Sequence, residues 1–142
     1  MKWLVVAAAV FAVGCSSVKP LPIVVGDRCY RCQRPIDDLK FAAEMIDEGG
    51  HAFKFRTAGC LAKYLAEHKG EHTKGLFVTD YATGKFIATS RAHLVPIVVN
   101  RASLEKDYAS FSSASDAEAL AKKEGSGATM AWDAVVAAAA TP

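Results

Sequence analysis

A pair of cysteines separated by two residues, Cys29-x-x-Cys32, constrains the fold of this 142-residue chain more than any other feature. At this spacing a tight turn lets two sulfurs converge on one metal ion. A thioredoxin-like redox site would instead place the pair at the start of a long helix inside a βαβ unit. Because Asp27-Arg28 precede the pair and Pro35 follows it, we predict a knuckle-like turn after an extended segment, Leu21–Gly26.

The N-terminus is typical of a bacterial export signal, with one lysine followed by an apolar run. This run is shorter than the roughly 20 apolar residues that span a bilayer. Its end, Ala12-Val13-Gly14-Cys15, is similar to the lipobox of bacterial lipoproteins, in which the cysteine is acylated after cleavage on its N-terminal side. We therefore predict a signal peptide at 1–14, lipidation of Cys15 and a solvated, lipid-anchored tether at 15–26. The folded body would face the periplasm or the cell exterior.

Acylation of Cys15 would leave three thiols, Cys29, Cys32 and Cys60, outside the cytoplasm. An odd number of thiols in an oxidising compartment allows two interpretations. Either two of them form a disulfide and one is left over, or all three are kept as thiolates for a soft metal ion. A three-sulfur site needs the first turn of the helix capped by Thr57 to face the knuckle, and a helix N-terminus would support a thiolate there.

Nearby side chains do not decide between these interpretations. The neighbours Arg28, Arg31 and Arg34 would lower thiol pKa values, which suits metal binding and redox exchange equally. Of four histidines, His51 beside a turn and His93 before an apolar strand are the two that we consider as further metal ligands.

Apolar periodicity predicts an α+β fold built from two similar strand-helix halves, with antiparallel sheets and packed helices. Phe55-Arg56-Thr57-Ala58 and Phe111-Ser112-Ser113-Ala114 each read as a strand end, a hydroxyl cap and a helix start. The first half, 27–70, would carry the cysteines, and the second half with a C-terminal helix or tail, 71–142, would be scaffold. The predicted elements are a hairpin over 41–55, helices over 57–70, 116–123 and 132–140, and strands over 76–79, 85–88, 94–99 and 108–111.

Composition and motifs exclude several functions. A net charge of +2 without a long basic cluster gives no footprint for nucleic acid, whose binding depends on many phosphate contacts. The sequence has no nucleophile elbow, no zinc-protease helix motif, no P-loop and no dinucleotide fingerprint. We predict that the chain is not an enzyme.

The order of these features resembles the NosL family, the membrane-anchored accessory lipoproteins that handle copper for nitrous oxide reductase. The resemblance covers most of the chain after the signal peptide. Its motifs in this sequence are the lipobox ending at Cys15, Cys29-x-x-Cys32, Ala58-Gly59-Cys60-Leu61 with Tyr64-Leu65, Asp80-Tyr81-x-Thr83-Gly84-x-Phe86-Ile87, the Phe111 strand, the alanine-rich helix and Trp132-Asp133.

The resemblance implies a Cu(I) chaperone, anchored in a membrane by its lipid, with nitrous oxide reductase or copper-delivery proteins as partners. This chain departs from the family at two methionine positions. Gln33-Arg34 stands where the family commonly has Gly-Met, and Leu104 stands near a second family methionine. Cu(I) prefers thiolate and thioether sulfur, so a copper site here would depend on the cysteines, while zinc is the alternative ion.

Three functions therefore remain open from the sequence. The first is a metal-handling lipoprotein of the NosL type. The second is an extracytoplasmic thiol redox partner that uses Cys29 and Cys32. The third is a metal-free structural lipoprotein in which these two cysteines form a disulfide.

Overall fold

The structure is a computed structural model that describes residues 17–141 of the chain. The predicted signal peptide and Cys15 lie outside the described residues. Within 17–141, no helix is long and apolar enough to cross a membrane. The strands are β1 (Ala43–Asp47), β2 (Ala52–Phe55), β3 (Thr73–Thr79), β4 (Phe86–Ala88), β5 (His93–Asn100) and β6 (Glu105–Phe111), and the helices are α1 (Ala58–Glu67), α2 (Ala114–Glu124) and α3 (Trp132–Ala139).

The first sheet has four antiparallel strands in the order β2-β1-β3-β4. Its centre is β1, which forms the predicted hairpin with β2 and pairs on its other side with β3. Side chains alternate across a strand, so Ala43 and Met45 face the main core while Glu44 points to the opposite face. The main core lies between this sheet and α1 with α3, and it includes Leu61 and Val135.

The second sheet is the β5–β6 hairpin. Both of its strands are edge strands, which is where Pro96 can be accommodated without costing a ladder hydrogen bond. Alternation along β5 sends neighbouring side chains to opposite faces: Leu94 joins the main core, and Val95 joins a smaller core with Phe111 and Ala117. This smaller core lies under α2.

Two helices begin at the hydroxyl caps that the sequence predicts. The Thr57 hydroxyl accepts a hydrogen bond from the Cys60 N–H at 3.1 Å, and Ser113 accepts one from the Asp116 N–H at 3.3 Å. The second helix ends at Gly125, whose left-handed backbone (φ 64°) closes the last turn. Both junctions therefore follow the same local design.

The α+β class, the antiparallel sheets with packed helices, the two halves and the cysteine-bearing turn are confirmed. The first sheet nevertheless extends beyond residue 70, because β3 and β4 pair with β1 rather than with the second hairpin. Hairpins are local, whereas the pairing of β3 with β1 crosses a helix and leaves no mark in the sequence.

The segment that was expected to be a solvated tether packs against the body from Val18 onward. We call residues 18–26 the strap. The Leu21 N–H donates to the Glu44 carboxylate at 2.7 Å, and the Gly26 N–H donates to the Ile36 carbonyl at 3.0 Å. Glu44 is fully buried, and burial raises the pKa of its carboxyl. A buried acceptor needs a donor, and the strap supplies one.

Candidate metal centre

The Cys29-x-x-Cys32 pair lies on a short hairpin turn, as its sequence predicts. The Cys29 N–H donates to the Arg34 carbonyl at 3.0 Å, and the Gln33 N–H donates back to the Cys29 carbonyl at 2.9 Å. The Tyr30 N–H donates to the Lys54 carbonyl at 2.7 Å, which fastens the turn to the edge of β2. The turn, which we call the knuckle (residues 27–36), is therefore held by backbone hydrogen bonds on two sides.

Closing this turn requires a left-handed residue directly after the second cysteine. Gln33 adopts φ 60°, a region that residues other than glycine and asparagine enter at a cost of about 1 kcal/mol. Its side-chain amide donates to the Tyr30 carbonyl at 2.8 Å, which partly offsets that cost.

Helix α1 brings the third thiol to the knuckle. Cys60 lies in the first turn of α1, three residues after the Thr57 cap, and its side chain is almost fully buried. The α1 face that follows, with Leu61 and Tyr64, packs into the main core. Packing of that face fixes the rotation of the helix and so directs the first turn at the knuckle.

The three sulfurs of Cys29, Cys32 and Cys60 lie within 4.8 Å of one another. The Sγ atoms of Cys32 and Cys60 are 3.9 Å apart, and all three cysteines are free. Cys29 is fully buried, Cys60 is 8% exposed and Cys32 is half-buried. The cluster thus has two thiols at the base and one at the protein surface.

The two buried thiols, Cys29 and Cys60, have opposite pKa shifts. The Cys60 thiol faces both other sulfurs: it donates to the Cys32 sulfur at 3.9 Å, and it also stabilises the Cys29 thiolate together with the backbone N–H groups of Cys32 and Arg56. These donors lower the pKa of Cys29 to about 4, although burial opposes them. The pKa of Cys60 is raised, because its thiol is the donor to Cys29 and because it is buried. The buried pair therefore favours the thiolate on Cys29 and the proton on Cys60.

Arginine side chains surround the cluster on its open side. Arg34 pairs with Glu105 at 2.8 Å and lies beside Cys32, and the neighbouring Cys32 and Glu105 raise the pKa of Arg34. Arg31 pairs with Glu67 at 2.5 Å. Two of the three arginines, Arg31 and Arg34, thus lie beside the thiols, whereas the Arg28 guanidinium donates to the Gln33 carbonyl.

The second half contributes directly to the surroundings of the site, which corrects the expectation that it is scaffold alone. Asp107 of β6 accepts hydrogen bonds from the Thr57 hydroxyl at 2.6 Å and the Gly59 N–H at 2.8 Å. This carboxylate occupies the N-terminus of α1, so the helix dipole stabilises Asp107 rather than a Cys60 thiolate. Burial raises the pKa of Asp107 against these donors.

A second acidic residue of β6 forms ion pairs with two arginines near the cysteines. Glu105 pairs with both Arg34 and Arg56. The backbone N–H of Arg56 points at the Cys29 sulfur, while its buried Nε atom has no hydrogen-bond partner among the described residues. Sequence reasoning missed Arg56, Glu105 and Asp107 as residues of the site. The acids lie more than 40 positions from the cysteines they serve, and a single sequence carries no signal for that contact.

The two candidate histidines are not brought to the sulfurs. Within 17–141, the group of mutually close metal-binding atoms comprises the three cysteines and includes neither His51 nor His93. The His51 ring is exposed in the β1–β2 turn and bonds to Asp47 at 3.0 Å. His93 begins β5 opposite Phe111. Met45 is fully buried and packs in the main core.

Three thiols from a knuckle and a helix start, mounted on two small antiparallel sheets, define an α+β protein with a candidate site for a soft metal ion. The family model of NosL matches residues 20–140. The chain therefore belongs to the NosL family, which is not a family of enzymes.

A solved structure supports the same fold. The crystal structure of the copper chaperone NosL from Shewanella denitrificans is similar to this chain with a TM-score of 0.69 and 19% sequence identity. The match covers 82% of this chain and 94% of that chain. No curated protein sequence matches the chain.

Proposed function

We propose that this chain is a Cu(I) chaperone of the NosL type that carries one copper ion on Cys29, Cys32 and Cys60. The observation that carries the proposal is the convergence of three sulfurs, from two separate segments, to within 4.8 Å. Thiolate sulfur is a preferred donor for Cu(I). Membership in the NosL family and the copper chaperone among its structural neighbours support the same cargo.

The donor set favours copper over zinc. Structural zinc sites are closed by four ligands in tetrahedral geometry. Among the described residues the cluster offers three sulfurs and no fourth histidine, cysteine or carboxylate within the same distance. A three-sulfur set suits Cu(I), so zinc is expected to bind more weakly and to recruit water or an added ligand.

The three sulfurs differ in burial, and this difference suggests the order in which they are displaced when copper is transferred to a client. Cys29 and Cys60 are buried, whereas Cys32 is half-buried and lies beside the exposed Arg34 side chain. An incoming sulfur ligand of a client would reach Cys32 before the other two. We infer that Cys32 is the first sulfur to be displaced when copper is handed on.

Location and client form the rest of the proposal. The lipobox-like sequence ending at Cys15 supports acylation and attachment to a membrane, with the folded body outside the cytoplasm. The client is the maturing nitrous oxide reductase, which the family resemblance supports. Loss of the acyl group in Cys15→Ser would release the chain from membranes, and mass spectrometry of the N-terminal peptide would reveal the lipid.

The copper proposal is tested by anaerobic titration of the reduced protein against a competing Cu(I) chelator. We expect one tightly bound ion, with affinity reduced more than about 100-fold in Cys29→Ser, Cys32→Ser and Cys60→Ser, because even changes outside the ligand set cost 10–100-fold. Ala62→Ser places a similar hydroxyl at a buried position of α1 and serves as the matched control. Unchanged affinity in the three cysteine variants would contradict the proposal.

Delivery needs its own experiment. The copper-loaded chain is mixed with copper-free nitrous oxide reductase, and the enzyme is separated and analysed for copper. We expect faster loading than from an equal amount of copper held by the chelator. Equal rates from both sources would show that this chain does not serve that client.

A further inference from the structure

The strap exposes apolar side chains within ten residues of the predicted lipid anchor. Leu21, Val24 and Val25 are 52%, 58% and 65% exposed. A single exposed apolar side chain is ordinary on a protein surface, but three within five residues form a local patch. Tyr30, at the tip of the knuckle, is also 47% exposed and follows in the same stretch of chain.

The strap is fixed to the body and is not slack. Leu21 and Gly26 donate the hydrogen bonds described above, and the Val24 N–H donates to Asp27 at 2.9 Å. Val18 packs so closely on β3 that its methyl lies 3.3 Å from where a side chain at Gly75 would begin. Pro20 and Pro22 flank Leu21 and restrict its backbone, which stiffens the segment.

The length of chain between Cys15 and the strap limits how far the apolar patch can lie from the membrane. Only Ser16 lies between Cys15 and Ser17, and these two steps of chain span at most about 7 Å when fully extended. An acyl chain on Cys15 enters the hydrocarbon of its membrane, so the beginning of the strap must lie close to the headgroups. Leu21 follows Cys15 by six positions, at most about 21 Å of extended chain, and the fixed strap therefore keeps the patch within reach of that surface.

We propose that Leu21, Val24 and Val25 of the strap insert into the lipid surface and hold the knuckle at headgroup level. The occupant of the patch is the bilayer that carries the Cys15 anchor, and the inference rests on the lipidation included in the proposed function. Cys29 is only four residues beyond Val25, about 14 Å of extended chain at most. Copper exchange would therefore take place beside the membrane, with a partner whose copper site also lies at its surface.

The test uses the full acylated chain in vesicles of phosphatidylcholine with or without bromine on the acyl chains, which quenches tryptophan by contact. Val24→Trp places the probe on the strap, and Val25→Trp repeats the measurement at a second position. Leu104→Trp, at the tip of the β5–β6 hairpin, is the matched control because Leu104 is apolar and 72% exposed. The buried native Trp132 is measured in the parent chain and subtracted.

We expect about a twofold loss of strap probe emission in brominated vesicles, since tryptophan settles at the membrane interface. The Leu104→Trp probe should change little. Equal emission of both strap probes in the two kinds of vesicle, or equal quenching at the strap and at Leu104, would overturn the inference. Failure of the parent chain to float with vesicles would overturn it together with the anchor. The copper titration is independent of these readouts, so each failure can be recognised separately.

Discussion

The two strand-to-helix junctions of this protein share one local design and differ in what surrounds them. In both, a hydroxyl caps the helix and a carboxylate from elsewhere in the chain lies at the junction. The Thr57 cap itself donates to Asp107, whereas in the second junction Ser112, the residue before the Ser113 cap, donates to Asp80 at 2.5 Å. The third helical residue is Cys60 in one junction and Asp116 in the other. The same design thus builds a helix start in one half and presents a thiol in the other.

What differs is the neighbouring chain. The knuckle packs against the start of α1, where Thr57 and Cys60 are buried. Along the first turn of α2, Asp116 is exposed to solvent. A helix start becomes a metal-binding position only where a second segment brings donors to it. The junctions therefore provide a matched pair for testing which contacts serve folding and which serve copper.

The largest effect is expected from removing the carboxylates. Asp107→Ala leaves the Thr57 hydroxyl and the Gly59 N–H without their acceptor, and Asp80→Ala does the same to Ser112. We expect each change to lower the free energy of unfolding by about 2–3 kcal/mol in denaturant titrations. Cu(I) affinity should fall about 10–100-fold in Asp107→Ala alone. Equal losses of Cu(I) affinity in Asp107→Ala and Asp80→Ala would show that the two junctions do not differ in their effect on copper binding.

The pH dependence of copper binding tests whether the Cys60 thiol is protonated in the free protein. The raised pKa of Cys60 keeps its proton on the free protein at neutral pH, so copper must displace it. Affinity should therefore rise by about tenfold per pH unit for each proton released, between about pH 6 and about pH 8. Chelator competition at several pH values measures this slope, and Cys60→Ser should reduce it. A flat profile for the unaltered chain would contradict the assignment of the proton.

Gly59, the second residue of α1, allows a further test of how the two helix starts differ. A side chain at Gly59 would begin 2.6 Å from the Asp107 carboxylate, so Gly59→Ala must displace that acid. We expect a loss of about 1–2 kcal/mol in unfolding free energy, although alanine normally favours a helix. Ser115→Ala, at the equivalent position of α2, should be within about 0.5 kcal/mol of neutral. A stabilising Gly59→Ala would show that Asp107 is not held as described.

The smallest effect concerns the two left-handed residues, one in each half. Gln33 has φ 60° in the knuckle, and Leu104 has φ 53° in the β5–β6 turn. Gln33→Gly and Leu104→Gly should each raise the unfolding free energy by up to about 1 kcal/mol, because glycine adopts this backbone without strain. Thermal unfolding measures both. A loss of stability in Gln33→Gly would mean that the amide contact with the Tyr30 carbonyl outweighs the strain.

Local features of the fold could be predicted from the sequence. The hairpin of β1 and β2, the caps at Thr57 and Ser113, and the turn that carries Cys29 follow from residues close together in the chain. Turn residues, hydroxyl caps and alternation act over a few positions, so they remain visible without a structure. The family resemblance was confirmed as well.

Contacts between distant segments could not be predicted. Pairing of β3 with β1, the position of Asp107 over the start of α1, and the Leu21 bond to Glu44 join residues 23 or more positions apart. Burial decides these contacts, and many alternative pairings satisfy the same hydrophobic pattern. The approach of Cys60 to the knuckle could be stated only as a condition, because it depends on how α1 packs on the first sheet.

The central claim is that three sulfurs from two segments hold one copper ion. X-ray absorption at the copper edge, on the reduced protein loaded with one equivalent of Cu(I), counts those sulfurs directly. We predict a single shell of three sulfur neighbours that falls to two in Cys60→Ser and stays at three in Ala62→Ser. A two-sulfur shell in the unaltered protein, or a shell of nitrogen and oxygen, would contradict the account.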